Sequence, residues 1–458
     1  MWLHKTLYTL WNSKIVRKTA VSFLLGCFPI FLGGCREPSP PDFGRWYRFD
    51  AVADEKNQPQ SGSELLKKYP IKGCFNANID FDRVRRSWVL SWTNKRFNWK
   101  ESLPGFLDTL TDCYRENFRP CTDLQWIQSV KNNANMEAVD TESVNGVLVS
   151  NAALRKLPTD YPCYIRKQGF DFIPLDRLQN SFVNAGTPVY ISHYSKDRAW
   201  VMIEDVASKA VGFVKTSDVA VVDSSAMKRV STLPVAVFFK DNQPLYTSLG
   251  HFLAYSRLGQ VAFVKKETDK NIWILWPKRT PSGRAQWETI RVSKTVASTR
   301  PLSFSMDTIP SALDQLLGKP YGWGGTLGNR DCSSMMQDYF RIFGYALPRN
   351  SKAQMEEGGV IIDLSGKSQA EKERLIIEKG IPYRTILWAP GHVTLYVGSD
   401  KGRVLVAHAK LSSDFIKHGY EGSHIIGKAI VSSLYLDAGI PGLQLSFIDR
   451  LAAMTLVK

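Results

Sequence analysis

Several things are scarce or missing in these 458 residues. No C-x-x-C or H-x-x-x-H spacing occurs among its seven cysteines and seven histidines, so no metal site or cofactor is implied. No run of clustered lysine and arginine with interleaved aromatics is present, which speaks against a nucleic-acid face despite a formal charge of +16. The first 35 residues contain no acidic side chain, but they do carry Lys5, Lys14, Arg17 and Lys18. Their apolar run, Val21 to Leu32, falls well short of the roughly 20 residues a spanning helix needs. From residue 164 onward there is one cysteine, Cys332.

What is present fills in the frame. A basic start, a short apolar core and the small residues of "LGGC" describe an export signal rather than a membrane span. "LGGC" is also similar to the lipobox of bacterial lipoproteins, with Cys35 as the lipidated residue; Cys27 in "LLGC" competes with a shorter apolar core, and a plain signal peptide is the alternative. The prolines of "REPSPPDFGR" would make a stiff tether beyond it. Arg36 after the cysteine, by the same likeness, favours the outer membrane facing the periplasm. Losing the four positive charges of residues 1–35 takes +16 to +12, a balance suited to an anionic wall or membrane surface.

At this length several domains are expected. Residues 36–150 read as a small helical supporting domain: Phe106, Leu107, Leu110, Cys113, Tyr114 and Phe118 recur at helical spacing, and a second helix follows Thr122. An oxidising compartment would allow a Cys113–Cys121 bridge, with buried free thiols as the alternative. From Val149 the period changes to short β-runs, giving a small SH3-like barrel over 151–222 and a longer, divergent copy over 223–296. Residues 297–458 combine helices with a β-rich remainder, an α+β arrangement.

The chemistry gathers around "YGWGGTLGNRDCSSMMQDYF". Met336, Tyr339, Phe340 and Phe343 fall on one helical stripe that Gly344 ends, which puts Cys332 at the helix start. The dipole and unpaired N–H groups there would lower the thiol's pKa, and the "GWGG" glycines would let backbone approach a substrate. His392 and His408 flank the turn signal "SDKG". A hairpin centred on Asp400 would set the two directly opposite, whereas a slip of one residue would send them to opposite faces. Aligned, they supply a proton carrier and a ring to orient it. His193, His251, His418 and His424 lack such pairing and read as surface or structural residues.

"YGWGGTLGNRDCSS", "LPRNS", "GHVTLYVG" and "VAHA" together resemble the NlpC (p-sixty) family of papain-like cell-wall cysteine peptidases, over residues 305–450. The upstream regions resemble the branch with an N-terminal stabilising domain and two SH3-like modules. The resemblance implies Cys332 as nucleophile, His392 as base and His408 as orienting ring. Tyr321 would be the oxyanion donor and Trp323 a cleft wall. Asp331 would hold a free L-alanine amine, with Ser333 and Ser351 binding the peptide. It implies cleavage between γ-D-glutamate and a diamino acid such as meso-diaminopimelate in peptidoglycan stems, with no obligate protein partner. Ser192 to Trp200 is the candidate for the cleft wall from the first barrel. Two departures stand out: Ser334 replaces the usual glycine, and Asn350 replaces an acid. The rivals are a decayed, non-catalytic peptidoglycan-binding lipoprotein, and an amidase or acyltransferase on the same fold.

Overall fold

In the computed structural model, residues 46–48, 53–71, 81–93, 114–115, 124–164, 175–417, 420–436 and 446–458 are described. All belong to one unit spanning Arg45–Lys458. The export segment, Cys35, the helix expected around Phe106 and the pairing of Cys113 with Cys121 lie outside them. Cys163 is disulfide-bonded. Among the described residues no helix is long and apolar enough to cross a membrane.

Two β-modules and an α+β domain are arranged as the change of period implies. The first sheet runs in the order 179–183, 152–155, 210–215, 200–205, 188–194, 144–148 and 219–221. It therefore starts at Val144, earlier than residue 151, because Val144–Leu148 pairs with Pro188–Tyr194 and closes on Val219–Val221. The second module orders strands 285–293, 271–279, 261–267, 235–238 and 297–298, with a separate hairpin of Pro244–Tyr246 and Phe252–Tyr255. The Leu124–Asn133 helix buries Ile127 and Val130, while Trp126 is half-buried.

The C-terminal sheet has seven strands, in the order 46–48, 420–433, 403–417, 392–400, 385–389, 453–457 and 359–363. Its outermost member, Trp46–Arg48, comes from the N-terminal region and pairs in parallel with 420–433. That region is thus built into this domain as well as lying beside it. The Gln60 side-chain amide bonds both the N–H and the C=O of Val431 as a strand neighbour would. Asp54 accepts from the Ser433 N–H and Oγ, and Lys428 is ion-paired with Glu55. Leu65 and Leu66 join the same core as Leu313, Met336 and Phe340. Across the sheet lies the Cys332–Ile342 helix, with Met335, Met336, Tyr339 and Phe340 all buried. Nine of its eleven residues are buried, so the helix is held within the core on nearly every side.

Both β-modules grip the segment that leads into this helix. Arg330 donates to Asp241 of the second module at 2.7 and 3.0 Å and to Asp338 at 2.8 Å. Gly324 and Gly325 have φ of +56° and +83°. A Cβ on Gly324 would sit 2.8 Å from the Gln179 carbonyl oxygen, and one on Gly325 would strike Phe182. These glycines let the loop dock on a strand of the first module, a role different from the substrate approach expected of them. Gly324→Ala should destabilise the protein by about 1–2 kcal/mol through its left-handed backbone and this contact, read as a lower urea or thermal midpoint. An unchanged midpoint would refute the docking role.

Candidate active site

Cys332 is the first residue of its helix and Asp331 the N-cap. The Asp331 carboxylate accepts from the Ser334 N–H at 2.9 Å, and Ser334 Oγ accepts from the Asp331 N–H at 2.9 Å. The serine that departs from the family's glycine thus closes a reciprocal cap. Asn350, the other departure, caps the Ser351–Glu357 helix by accepting from the Lys352 N–H, a bond a carboxylate would make in the same way.

Arg349, in "LPRNS", was not picked out from sequence, yet it organises this end of the site. It donates to both Asp331 oxygens at 2.9 and 2.5 Å, to Ser333 Oγ at 2.7 Å and to Ser181 Oγ of the first module at 3.1 Å. Burial alone would raise the Asp331 pKa; the Arg349 guanidinium and the capping bonds outweigh it and hold the carboxyl below 3.8. Ser333 Oγ accepts from Arg349 and donates to Asp331, so its hydroxyl is already engaged. Among the described residues, Asp331 Oδ2 accepts only from Arg349, which leaves it a lone pair.

The histidine pair is assembled in a register different from the expected one. The hairpin turn is Lys401–Gly402, with φ of +49° and +79°, and Asp400 faces Arg403 across it. Two left-handed residues make the tight loop that fits the twist of a hairpin. With a bulge between Tyr396 and Gly398, Leu395 comes opposite Ala407, so His408 falls opposite Thr394 and His392 lies two residues further along. An offset of two preserves the face, where an offset of one would have reversed it. The rings meet diagonally: His392 Nε2 lies 2.7 Å from His408 Nδ1. Phe447 covers them, edge-on to His392 and stacked on His408.

The sulfur sits near this strand, where the Val393 and Ser333 backbone N–H groups favour its ionised form. Cys332 is 7% exposed and opens into a cleft of about 300 Å³ shared with Tyr321, Trp323, Asp331, Ser333, Arg349 and Ser351. The opposite wall is Lys156, Gln179, Asn180, Ser181, Lys209 and Ala210 of the first module. It does not include Ser192 to Trp200; that segment turns instead to the Leu124–Asn133 helix, where Lys196 N–H bonds the Asn133 carbonyl and His193 bonds that of Ala134.

Electrostatics correct one expectation. The helix start does not leave an acidic thiol: burial, followed by the Asp331 carboxylate, pushes Cys332 up to about 12, against the pull of the Val393 N–H. Burial, then His408 and Lys410, drives His392 well below 6.5, and burial, then Lys410, does the same to His408. The resting pair is therefore thiol and neutral imidazole, so the proton must move as the sulfur attacks. Burial, then the neighbouring Cys332 and Asp331, raises Tyr321 and keeps its phenol a donor. Among the described residues no three His, Cys, Asp or Glu side chains come together as a metal would need.

Residues 318–428 match the model of the NlpC/P60 family. The chain carries an NlpC/P60 domain. Residues 165–215 match an SH3 domain model of the SH3b1 type, within the first β-module. A solved NlpC/P60 endopeptidase from Photobacterium damselae subsp. piscicida is similar over 90% of this chain and 98% of its own, at 22% identity and a TM-score of 0.74. At that identity the likeness is one of fold. An NlpC/P60 family protein from Bacillus cereus matches over 69% of this chain and 100% of its own, at 15% identity and a TM-score of 0.44. No curated protein matches.

Within the NlpC/P60 domain the Arg349–Asp331 pair is buried, with side chains 11% and 10% exposed. Arg349→Met would leave the carboxylate without its counter-charge and should cost about 3–5 kcal/mol at neutral pH. The wild-type carboxyl titrates below 3.8, so the pair's contribution is present above that value and is lost as pH falls. In the variant, burial raises the same group, and the stability gap should narrow toward acid. Chemical denaturation of both proteins across this range checks the sign.

Proposed function

We propose that this protein is a cysteine endopeptidase that hydrolyses the γ-D-glutamyl–diamino acid bond of peptidoglycan stem peptides, with meso-diaminopimelate as the diamino acid. The observation that carries the reading is a thiol at a helix start, in an open cleft, next to the strand that begins at His392, whose Nε2 is bonded to a second histidine at 2.7 Å. The Cys332 sulfur attacks the amide carbon while its proton passes to His392 Nδ1, the one ring nitrogen not turned to His408. The oxyanion is held by the Tyr321 phenol and the Cys332 N–H. As the C–N bond breaks, His392 gives the proton to the leaving amine. Water, deprotonated by the same ring, then opens the thioester, and the thiol recovers its proton.

The free lone pair on Asp331 Oδ2 supports a free L-alanine amine at the stem's start, with Ser351 and Trp323 lining the path of the peptide. Cys332→Ala should abolish cleavage of L-Ala-γ-D-Glu-diaminopimelate while leaving binding intact. Mass analysis should find a split after γ-D-glutamate, weaker when the amine is acetylated. Release of intact stems from the sugar would point instead to an amidase, and turnover by the alanine variant would end the proposal. Because His392 is held neutral well below 6.5, kcat/KM should stay level as pH falls through that value. A loss centred there would place the base in an ordinary environment.

The basic, acid-free start and "LGGC" support export, with lipidation at Cys35 and residence at the periplasmic face of the outer membrane. Labelling with radioactive palmitate should mark the wild type and not Cys35→Ala; equal label in both would remove the anchor from the proposal.

A further inference from the structure

Resting on that reading of Cys332 and His392, we propose that Ser432 is a positioning residue, whose hydroxyl selects the histidine tautomer that leaves His392 able to take the thiol's proton. A hydrogen-bonded chain, half-buried at His392 and buried beyond it, runs from the base to Ser432. His392 Nε2 meets His408 Nδ1 at 2.7 Å, His408 Nε2 meets Ser432 Oγ at 3.1 Å, and Ser432 Oγ donates to the Ser433 carbonyl at 3.0 Å. Ser432 is fully buried and His408 nearly so.

Proton counting then decides the arrangement. A hydroxyl has one hydrogen; Ser432 spends it on the Ser433 carbonyl, so toward His408 it can only accept. His408 therefore carries its proton on Nε2. Because the ring is neutral, its Nδ1 is an acceptor and receives the His392 Nε2–H. His392, also neutral, is left with a bare Nδ1. Were the Ser432 hydrogen aimed at His408 instead, every bond in the chain would reverse and His392 would turn an N–H toward the sulfur, unable to act as a base. The choice therefore lies at Ser432, two bonds away from the reacting atoms.

The serine is held from outside. Val431 on one side is bonded by the Gln60 amide, and Ser433 on the other by Asp54. Both holders belong to the N-terminal region, which fixes the strand that presents the Ser433 carbonyl.

The test uses the full-length protein with ¹⁵N-labelled histidine, together with Ser432→Ala and Ser432→Thr. In the wild type, His392 Nδ1 should resonate as an unprotonated nitrogen. In Ser432→Ala the signal should move toward the protonated form, and kcat/KM and the rate of Cys332 alkylation by iodoacetamide should both fall about tenfold with KM unchanged. Ser432→Thr, which keeps the hydroxyl, should restore all three. The proposal is overturned by a protonated Nδ1 in the wild type, by an alanine variant with unaltered signal and alkylation rate, or by a folded threonine variant as impaired as alanine. Alkylation and tautomer are read without a wall substrate, so a wrong bond assignment would show as failed peptide cleavage while these two readouts still respond.

Discussion

The bond between His392 and His408 constrains most of what surrounds it. It forms only if both rings lie on one face of a hairpin, and that face is set by the two-residue turn at Lys401–Gly402 and the bulge near Gly398. It is also made largely out of water: His408 is buried and His392 half-buried, both against Phe447 and with Lys410 nearby, so charge is costly on either ring and both stay neutral. Neutral rings in a chain of hydrogen bonds have their protons placed by whatever ends the chain, here a serine on the next strand.

The other half of the site is fixed by the β-modules. Of the two residues before Cys332, Arg330 is bound to the second module and Asp331, through Arg349, is linked to the first. Gly324 and Gly325 bring the same loop flush against the first module. The thiol is thus placed by three domains at once, although its own helix belongs to one. The first module also furnishes a cleft wall, which makes it part of the site and not an accessory to it.

Much of this was legible along the chain. The stripe of Met336, Tyr339, Phe340 and Phe343 located the helix and its first residue, and the alternation around "HVTLYVG" and "RVLVAHA" put His392 and His408 on neighbouring strands. The register was misjudged because a bulge leaves no mark in a pattern of alternation; the pairing survived because the error was two residues and not one. The glycines of "GWGG" signalled a close approach without saying to what. Ser334 and Asn350 looked like departures, yet each meets the capping need of the helix it starts. Arg349, Phe447 and the wall of Lys156, Gln179 and Lys209 carry no such signal, since nothing local distinguishes a side chain that will reach the site from a distant element.

By itself the sequence determined the periodic elements, the order of the domains, the lone thiol at a helix start and the neighbouring strands that carry the two histidines, because each depends on spacing within one short segment. Tertiary structure decided the thiol's protonation, the partner of Asp331, the cleft wall and the end of the histidine chain at Ser432. Those follow from burial and from contacts between residues on different elements, and no local pattern encodes how much water a folded chain will exclude.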